Sequence, residues 1–164
     1  MNRKHSVANI DIRCLARLPE DEGFPHTIRT PDQLCAWFYH YVPALSWWNP
    51  DVEHVIVLTL TSKYRITACQ QVTRGLSDQC LIHPAEIFRP AIATLSKALL
   101  VIHNHPSGDP SPSGDDLLHT RDLVKAGKIL GIHVLDHIII GRPPYNAFCS
   151  LRDSGLVDFN PEKT

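Results

Sequence analysis

The sequence lacks the long apolar runs and the excess of one charge that mark membrane proteins and many nucleic-acid-binding proteins. No run is long enough to span a bilayer, and Asn9, Asp11 and Arg13 interrupt the first apolar stretch, so we expect neither a membrane helix nor a signal peptide. The formal net charge is −1 and the pI is about 6.8, so no overall positive potential favours nucleic acid. A local basic patch is the remaining route to such binding.

Paired cysteines are also absent. The chain has an odd number of cysteines, they are scattered, and none forms a Cys-x-x-Cys pair; they are Cys14, Cys35, Cys69, Cys80 and Cys149. This pattern is untypical of a disulfide framework and favours free thiols in a reducing compartment. The cytoplasm is therefore the expected location.

The length leaves room for one domain with a hydrophobic core, but not for two. The chain has 164 residues, of which 43% are hydrophobic and 20% are charged, as in ordinary globular proteins. Weak alternation and a Pro/Gly-containing acidic stretch predict an N-terminal arm and loop over residues 1–29. We expect the domain to occupy residues 30–158 and a loose tail to occupy residues 159–164.

Hydrophobic periodicity predicts an α/β chain in which helices and strands alternate. Period-3.6 patterns with helix-start signals predict helices over 30–41, 83–98 and 114–130. Period-2 or continuous apolar patterns predict strands over 53–60, 66–72, 98–103, 133–141 and 147–151.

Three packing predictions follow from the same patterns. In the first helix, Trp37 belongs to an apolar stripe and is expected in the core rather than on a stacking surface. Of the adjacent Trp47 and Trp48, one is expected to be buried and the other exposed. In the third helix, apolar spacing predicts an inward face made of Leu117, Leu118, Val124 and Leu130.

The stretch from residue 100 to residue 116 carries the strongest chemical signal. His103 and His105 end an apolar strand, and residues two apart on a strand point to the same face. A Pro/Gly/Ser-rich turn then leads to Ser113 and Asp116, which are spaced as a helix capping pair. The turn can bring Asp116 back to the two imidazoles. Two histidines and one aspartate suit Zn²⁺ with a fourth position open to water, as in catalytic zinc sites.

The pattern HxHP, six residues and SxxD, which begins at His103, is similar to the metal-binding signature of the JAB/MPN (JAMM) metallohydrolases. The fuller string HNHPSGDPSPSxxD, followed by AGKILGI and VLDHIIIG, resembles the RadC-like branch. The resemblance covers roughly residues 30–157. It implies a mixed β-sheet flanked by helices, in the three-layer, α+β-like architecture that JAB/MPN domains share with cytidine deaminases.

The resemblance also implies a chemistry and roles for further residues. It implies a zinc-dependent hydrolase that cleaves amide or isopeptide bonds, with Glu53 as the general base and Ser113 as a donor to the oxyanion. The substrate would be a peptide or a ubiquitin-like protein conjugate. Glu86 is a rival carboxylate, but the helix dipole sufficiently explains an acidic residue in a first turn. Asp136 and His137 are expected to support the ligands through hydrogen bonds, or to make hydrogen bonds in the core, rather than to bind the metal.

Two other functions stay open at this point. The RadC-like branch is associated with DNA repair, so the chain could bind or cleave DNA, although its near-neutral charge counts against strong duplex binding. About 29 residues are also too few for the helix-hairpin-helix region of longer RadC-like proteins. A non-catalytic scaffold is the third hypothesis, and the presence of all three ligands argues against it.

Overall fold

The computed structural model describes residues 27–75, 82–142 and 147–160, and within these ranges one mixed sheet contains five strands in the order β2-β1-β3-β4-β5. Strands β3 and β4 run parallel, whereas the other neighbouring pairs are antiparallel. The strands are β1 (Glu53–Leu60), β2 (Ile66–Gly75), β3 (Ala98–Asn104), β4 (His133–Ile140) and β5 (Phe148–Ser150). The predicted strands are all present, with β2 longer and β5 shorter than expected.

The helices cover both faces of the sheet, which confirms the predicted fold class of a mixed sheet flanked by helices. They are α1 (Pro31–Tyr41), α2 (Pro84–Ala93) and α3 (Gly114–Leu130). Helix α1 packs on one face, and α2 and α3 pack on the other. None of the described helices is both long and apolar enough to cross a membrane.

Strand β3 lies at the centre of the sheet, and its alternation directs side chains into two separate cores. Leu99 and Val101 join the core on the α2 and α3 side, whereas Leu100 and Ile102 join the core on the α1 side. The strand is buried along its whole length, as expected for a strand covered on both faces. The same alternation sends the next side chains, at the end of the strand, towards opposite layers.

Helix α2 is shorter than predicted. We expected it to run to about Ala98, but it ends at Ala93. The Thr94 hydroxyl donates to the Pro90 carbonyl at 2.8 Å, and Leu95 adopts a left-handed conformation with φ of 52° that a helix cannot continue. The chain then turns directly into β3.

The inward face of α3 was only partly predicted. Val124 is buried and Leu117 packs against the core, but Leu118 and Leu130 are 52% and 48% exposed. The face that meets the sheet is made of Asp116, Thr120, Leu123, Val124 and Gly127. Apolar spacing alone did not predict this face, because two of its positions are polar and one is glycine.

The tryptophan predictions had mixed outcomes. Trp37 is 2% exposed in the α1-side core, as predicted. The expectation that Trp47 and Trp48 would differ in burial is wrong, because both are half-buried. Both rings pack against the buried His54, with centroid distances of 5.7 Å and 4.9 Å respectively, so they share one environment.

The ordered domain extends beyond the predicted boundaries. Thr27 forms a β-bridge with Arg65, and Ile28 is 5% exposed in the α1-side core, so the arm assigned to residues 1–29 ends earlier than expected. Phe159, expected in a loose tail, is 7% exposed and packs into the other core. The rest of the arm, residues 1–26, and the end of the tail, residues 161–164, lie outside the described residues.

The cysteines that the structure describes are free thiols, in agreement with their scattered spacing. Cys35 and Cys69 are buried and Cys149 is half-buried. The remaining two cysteines lie outside the described residues.

Candidate metal centre

The two predicted ligand histidines meet at the carboxyl end of β3. His103 pairs with Val55 of β1 and is fully buried. The backbone N–H of His105 donates to the Ile140 carbonyl of β4 at 3.0 Å, so the chain keeps its strand direction just past the end of β3. Because of this extension, both rings lie on the α3 side, and their Nε2 atoms are 2.9 Å apart.

The first turn of α3 brings the predicted carboxylate to this pair. Asp116 Oδ1 lies 3.4 Å from His103 Nε2, and Asp116 Oδ2 lies 3.6 Å from His105 Nε2. The structure therefore brings together all three residues that the sequence suggested as metal ligands.

A complete capping box orients this carboxylate. The Ser113 backbone N–H and hydroxyl donate to Asp116 Oδ2 at 2.7 Å and 2.6 Å, and the Asp116 N–H donates back to the Ser113 hydroxyl at 3.1 Å. The capping role of Ser113 is thus present, and its single hydroxyl proton points at Asp116. Among the described residues, no such donor reaches Oδ1 of Asp116, which faces His103.

Glu53, the predicted base, lies beside the histidines. Its carboxylate and the ring nitrogens of His103 and His105 are all within 4.8 Å of one another, and this is the group of potential metal ligands found among the described residues. Burial raises the pKa of Glu53, with a further rise from Asp116 and an opposing effect of His105. Glu86, the rival carboxylate in the first turn of α2, is not part of this group. Asp116 is not part of it either, and its place at the centre rests on its distances to the two histidines.

Asn104 holds the backbone on either side of Glu53. Its side chain accepts a hydrogen bond from the His54 N–H at 2.9 Å and donates to the Val52 carbonyl at 3.0 Å. These bonds extend the β1–β3 ladder beyond the pair of Val55 and His103. Sequence reasoning missed this role, although a polar residue pointing from a central strand into an apolar layer is a signal that it needs a partner.

The hydrogen bonds of the two histidines show what the centre can bind. His105 Nδ1 donates to the Asp109 carbonyl at 2.7 Å, because a carbonyl can only accept, so a neutral His105 has its lone pair on Nε2. That lone pair faces His103 Nε2 and the Asp116 carboxylate. Acceptors at such distances repel one another unless a proton or a metal ion lies between them, so the donor set fits a cation such as Zn²⁺.

The pKa shifts agree with this arrangement. Burial lowers the pKa of His103 well below its ordinary value, and His137 lowers it further. The neighbouring Asp116 carboxylate raises the pKa of His105. Burial raises the pKa of Asp116, but the nearby His105 and His103 and the hydrogen bonds from Ser113 outweigh it, so this pKa lies below its usual range. Of the two histidines, His105 is therefore the one whose surroundings favour the protonated form, and His103 the one whose surroundings disfavour it.

The two residues predicted to make supporting hydrogen bonds, His137 and Asp136, have different partners. His137 supports the centre, because its Nε2 lies 2.7 Å from His103 Nδ1, and burial lowers the pKa of His137 to about 4. Asp136 turns away, accepting from the Ser150 hydroxyl and from the backbone N–H groups of His137 and Arg152. It joins β4 to the turn after β5 and contacts neither ligand histidine.

The comparisons with known proteins agree with this geometry. A family model described as the RadC-like JAB domain matches residues 28–156, which is most of the chain. The chain belongs to the RadC-like JAB domain family. The resemblance recognised in the sequence is thereby confirmed.

Relatives of this RadC-like JAB domain carry the name UPF0758 protein. That of Desulforamulus reducens is 38% identical over 145 residues, which are 88% of this chain and 60% of the relative. That of Syntrophomonas wolfei is 37% identical over 151 residues, 92% of this chain and 57% of the relative. In Alkaliphilus metalliredigens the identity is 44% over 105 residues, 64% of this chain and 44% of the relative. The chain thus spans about half the length of these relatives, and their name states no activity.

Proposed function

We propose that this RadC-like JAB domain is a zinc-dependent hydrolase that cleaves an amide or isopeptide bond. The observation that carries the proposal is the convergence of His103, His105 and Asp116 as acceptors, with Glu53 beside them. The three residues would hold the ion and leave a position for water, whereas a structural zinc site is closed by four protein ligands. When bound, Zn²⁺ supplies a Lewis acid that makes water nucleophilic near neutral pH and polarises a carbonyl.

Glu53 would move the proton in this reaction. Its half-buried carboxylate and raised pKa suit a group that takes a proton from the attacking water and returns it to the leaving amine. Asn104 keeps the backbone of Glu53 in place from both sides. The base would therefore be held in position by the strand that carries the ligands.

Ser113 would donate to the developing oxyanion, which would need its hydroxyl proton to turn from Asp116 towards the substrate. Its side chain lies at the exposed start of α3, so substrate can reach it. In the absence of substrate, the same hydroxyl caps the helix and orients the ligand carboxylate.

A cleft beside His105 supports a peptide substrate rather than a phosphodiester. Its volume is about 240 Å³, and its walls include Phe38, Trp48 and Arg142. The cation on this wall is paired, because Arg142 Nη2 donates to Asp51 Oδ1 at 2.7 Å. Aromatic walls with one paired cation suit an apolar side chain next to the scissile bond.

The first test is the metal content of purified, dialysed protein by elemental mass spectrometry, with His105→Ala and Asp116→Ala as comparison variants. We expect about one zinc per wild-type chain, by analogy with single-ion catalytic sites, and loss of the ion from both variants while circular dichroism shows them folded. Folded wild type that takes up no zinc when offered it would overturn the proposal.

The second test is turnover of peptide, isopeptide and nucleic-acid substrates by the zinc-loaded protein. Glu53→Gln keeps the shape of the side chain and removes the base, so activity lost in that variant belongs to this centre. Cleavage confined to amide or isopeptide bonds supports the proposal. Cleavage of DNA alone would favour the repair hypothesis, and zinc binding without turnover of any of these substrates would favour a scaffold.

A further inference from the structure

A buried chain of hydrogen bonds leads from His103 back to the helix that supplies Asp116. His103 Nδ1 lies 2.7 Å from His137 Nε2, and His137 Nδ1 lies 2.6 Å from the Thr120 hydroxyl. That hydroxyl lies 2.6 Å from the backbone carbonyl of Asp116. His103, His137 and Thr120 are all fully buried, so no water competes for these groups.

The donor and the acceptor of every hydrogen bond in this chain follow from its last bond, between Thr120 and the Asp116 carbonyl. A backbone carbonyl can only accept, so the single proton of the Thr120 hydroxyl goes to Asp116. His137 Nδ1 must then donate to the Thr120 oxygen. Neither ring nitrogen of His137 contacts a carboxylate, and a buried unpaired charge is costly, so the ring is neutral and its Nε2 accepts. His103 Nδ1 therefore donates.

We infer that Thr120 and His137 are positioning residues that fix the tautomer of His103, so that its Nε2 lone pair always faces the metal position. A histidine binds a metal through an unprotonated nitrogen, and the partner of the other nitrogen decides which one that is. The inference rests on the metal site of the proposed function, but not on catalysis. The last acceptor of this chain of hydrogen bonds is the backbone carbonyl of Asp116, so one candidate ligand residue sets the tautomer of another.

The need for this chain follows from the place of His103 in the sheet. His105 lies beyond the end of β3 and uses the nearby carbonyl of Asp109 directly. His103 lies inside the central strand, where pairing with β1 and β4 occupies the neighbouring backbone carbonyls. A chain of side-chain hydrogen bonds, which ends on the backbone carbonyl of Asp116 in α3, replaces the direct bond.

The test compares Thr120→Val with its matched control Thr120→Ser. Valine keeps the shape and removes the hydroxyl, whereas serine keeps the hydroxyl. The tautomer of His103 is measured in metal-free protein from the ¹⁵N chemical shifts of its ring, at mildly alkaline pH. Zinc affinity is measured by competition with a chromogenic chelator, and thermal unfolding of the metal-free proteins checks their folds.

We expect the wild type and Thr120→Ser to carry the His103 proton on Nδ1 and to bind zinc alike. In Thr120→Val, His137 has no acceptor for Nδ1 and moves its proton to Nε2, which drives the His103 proton to its own Nε2. Zinc affinity should then fall about 10- to 100-fold, as when other partners of metal ligands are removed.

Two results would overturn the inference. One is a wild-type protein in which His103 carries its proton on Nε2. This result overturns the inference even if Thr120→Val does not fold. The other is a folded Thr120→Val that keeps the wild-type tautomer and zinc affinity. Neither measurement uses a substrate, so a protein that passes both and hydrolyses nothing would contradict the proposed hydrolase and leave this inference standing.

Discussion

At the scale of single residues, the side chains at the end of β3 point to opposite faces of the sheet and have different roles. His103 and His105 face α3 and belong to the candidate metal centre, while Asn104 between them is 4% exposed and binds the backbone next to Glu53. Neighbouring side chains on a strand point to opposite faces, so consecutive residues can serve as candidate ligands and as support for the proposed base. The placement of Glu53 therefore depends on a residue that is not one of the candidate ligands.

Asn104→Leu tests this placement. The substitution keeps the size of the side chain but leaves the Val52 carbonyl and the His54 N–H without partners, so the free energy of unfolding should fall by about 2–4 kcal/mol. Urea unfolding of the metal-free protein measures this. Zinc affinity should fall less than in His105→Ala, because every proposed ligand remains.

The control for Asn104→Leu is Glu53→Gln, which changes the base itself and leaves both backbone bonds intact. It should remove turnover without a comparable loss of stability. If Asn104→Leu unfolds at the same urea concentration as the wild type, the two hydrogen bonds do not hold this part of β1.

At the scale of elements, α3 brings Asp116 to the histidines because it lies unusually close to the rest of the domain. A Cβ atom on Gly127 would lie 2.5 Å from the Ile132 carbonyl oxygen and 3.3 Å from Phe88 and Val134. Only glycine permits this approach between α3, α2 and the start of β4. The capping box at Ser113 begins the helix, and Gly131, with φ of 66°, ends it.

Gly127→Ala and Gly114→Ala form a matched pair on this helix. Alanine at position 127 collides with backbone, so we expect a net loss of about 1–2 kcal/mol in unfolding free energy even after the gain in helix propensity. Alanine at position 114 meets nothing within 4 Å and should stabilise the protein by about 0.5–1 kcal/mol. Thermal unfolding of the metal-free variants measures both changes, and equal effects at the two positions would disprove the close approach.

At the scale of the whole molecule, the domain carries a neutral histidine in the core next to its candidate metal centre. Burial lowers the pKa of His137 to about 4, against an ordinary value of 6.5. Between these two pH values the unfolded chain binds a proton that the folded protein does not. Acid must therefore favour unfolding over this range.

His137→Gln should make the protein less sensitive to acid. The wild type should lose on the order of 3 kcal/mol of unfolding free energy as the pH falls from about 6.5 to about 4, a contribution that is complete above this range and absent from the variant. Urea unfolding of both metal-free proteins at several pH values gives the two curves. Burial lowers the pKa of His103 as well, and His137 lowers it further, so the substitution should reduce the acid sensitivity that comes from both residues. Parallel curves would contradict the prediction.

The sequence alone was sufficient for the parts of this protein that short-range geometry decides. His103, His105 and Asp116 lie within fourteen consecutive residues, so strand alternation and one turn were enough to predict that they meet. Helix α3 has its predicted bounds because its cap at Ser113 and its stop at Gly131 are local signals. The tertiary structure places Glu53, the strand-start base that the family resemblance implied, beside them.

Only the tertiary structure decided how the centre is supported. His103 reaches a partner 34 residues away and Asn104 reaches one 50 residues away, through the pairing of β3 with β4 and with β1. The face of α3 that includes Thr120 was likewise set by packing on the sheet, and apolar spacing assigned it wrongly. Such contacts depend on which strands become neighbours, and that is determined by burial of the whole core rather than by any segment of the chain.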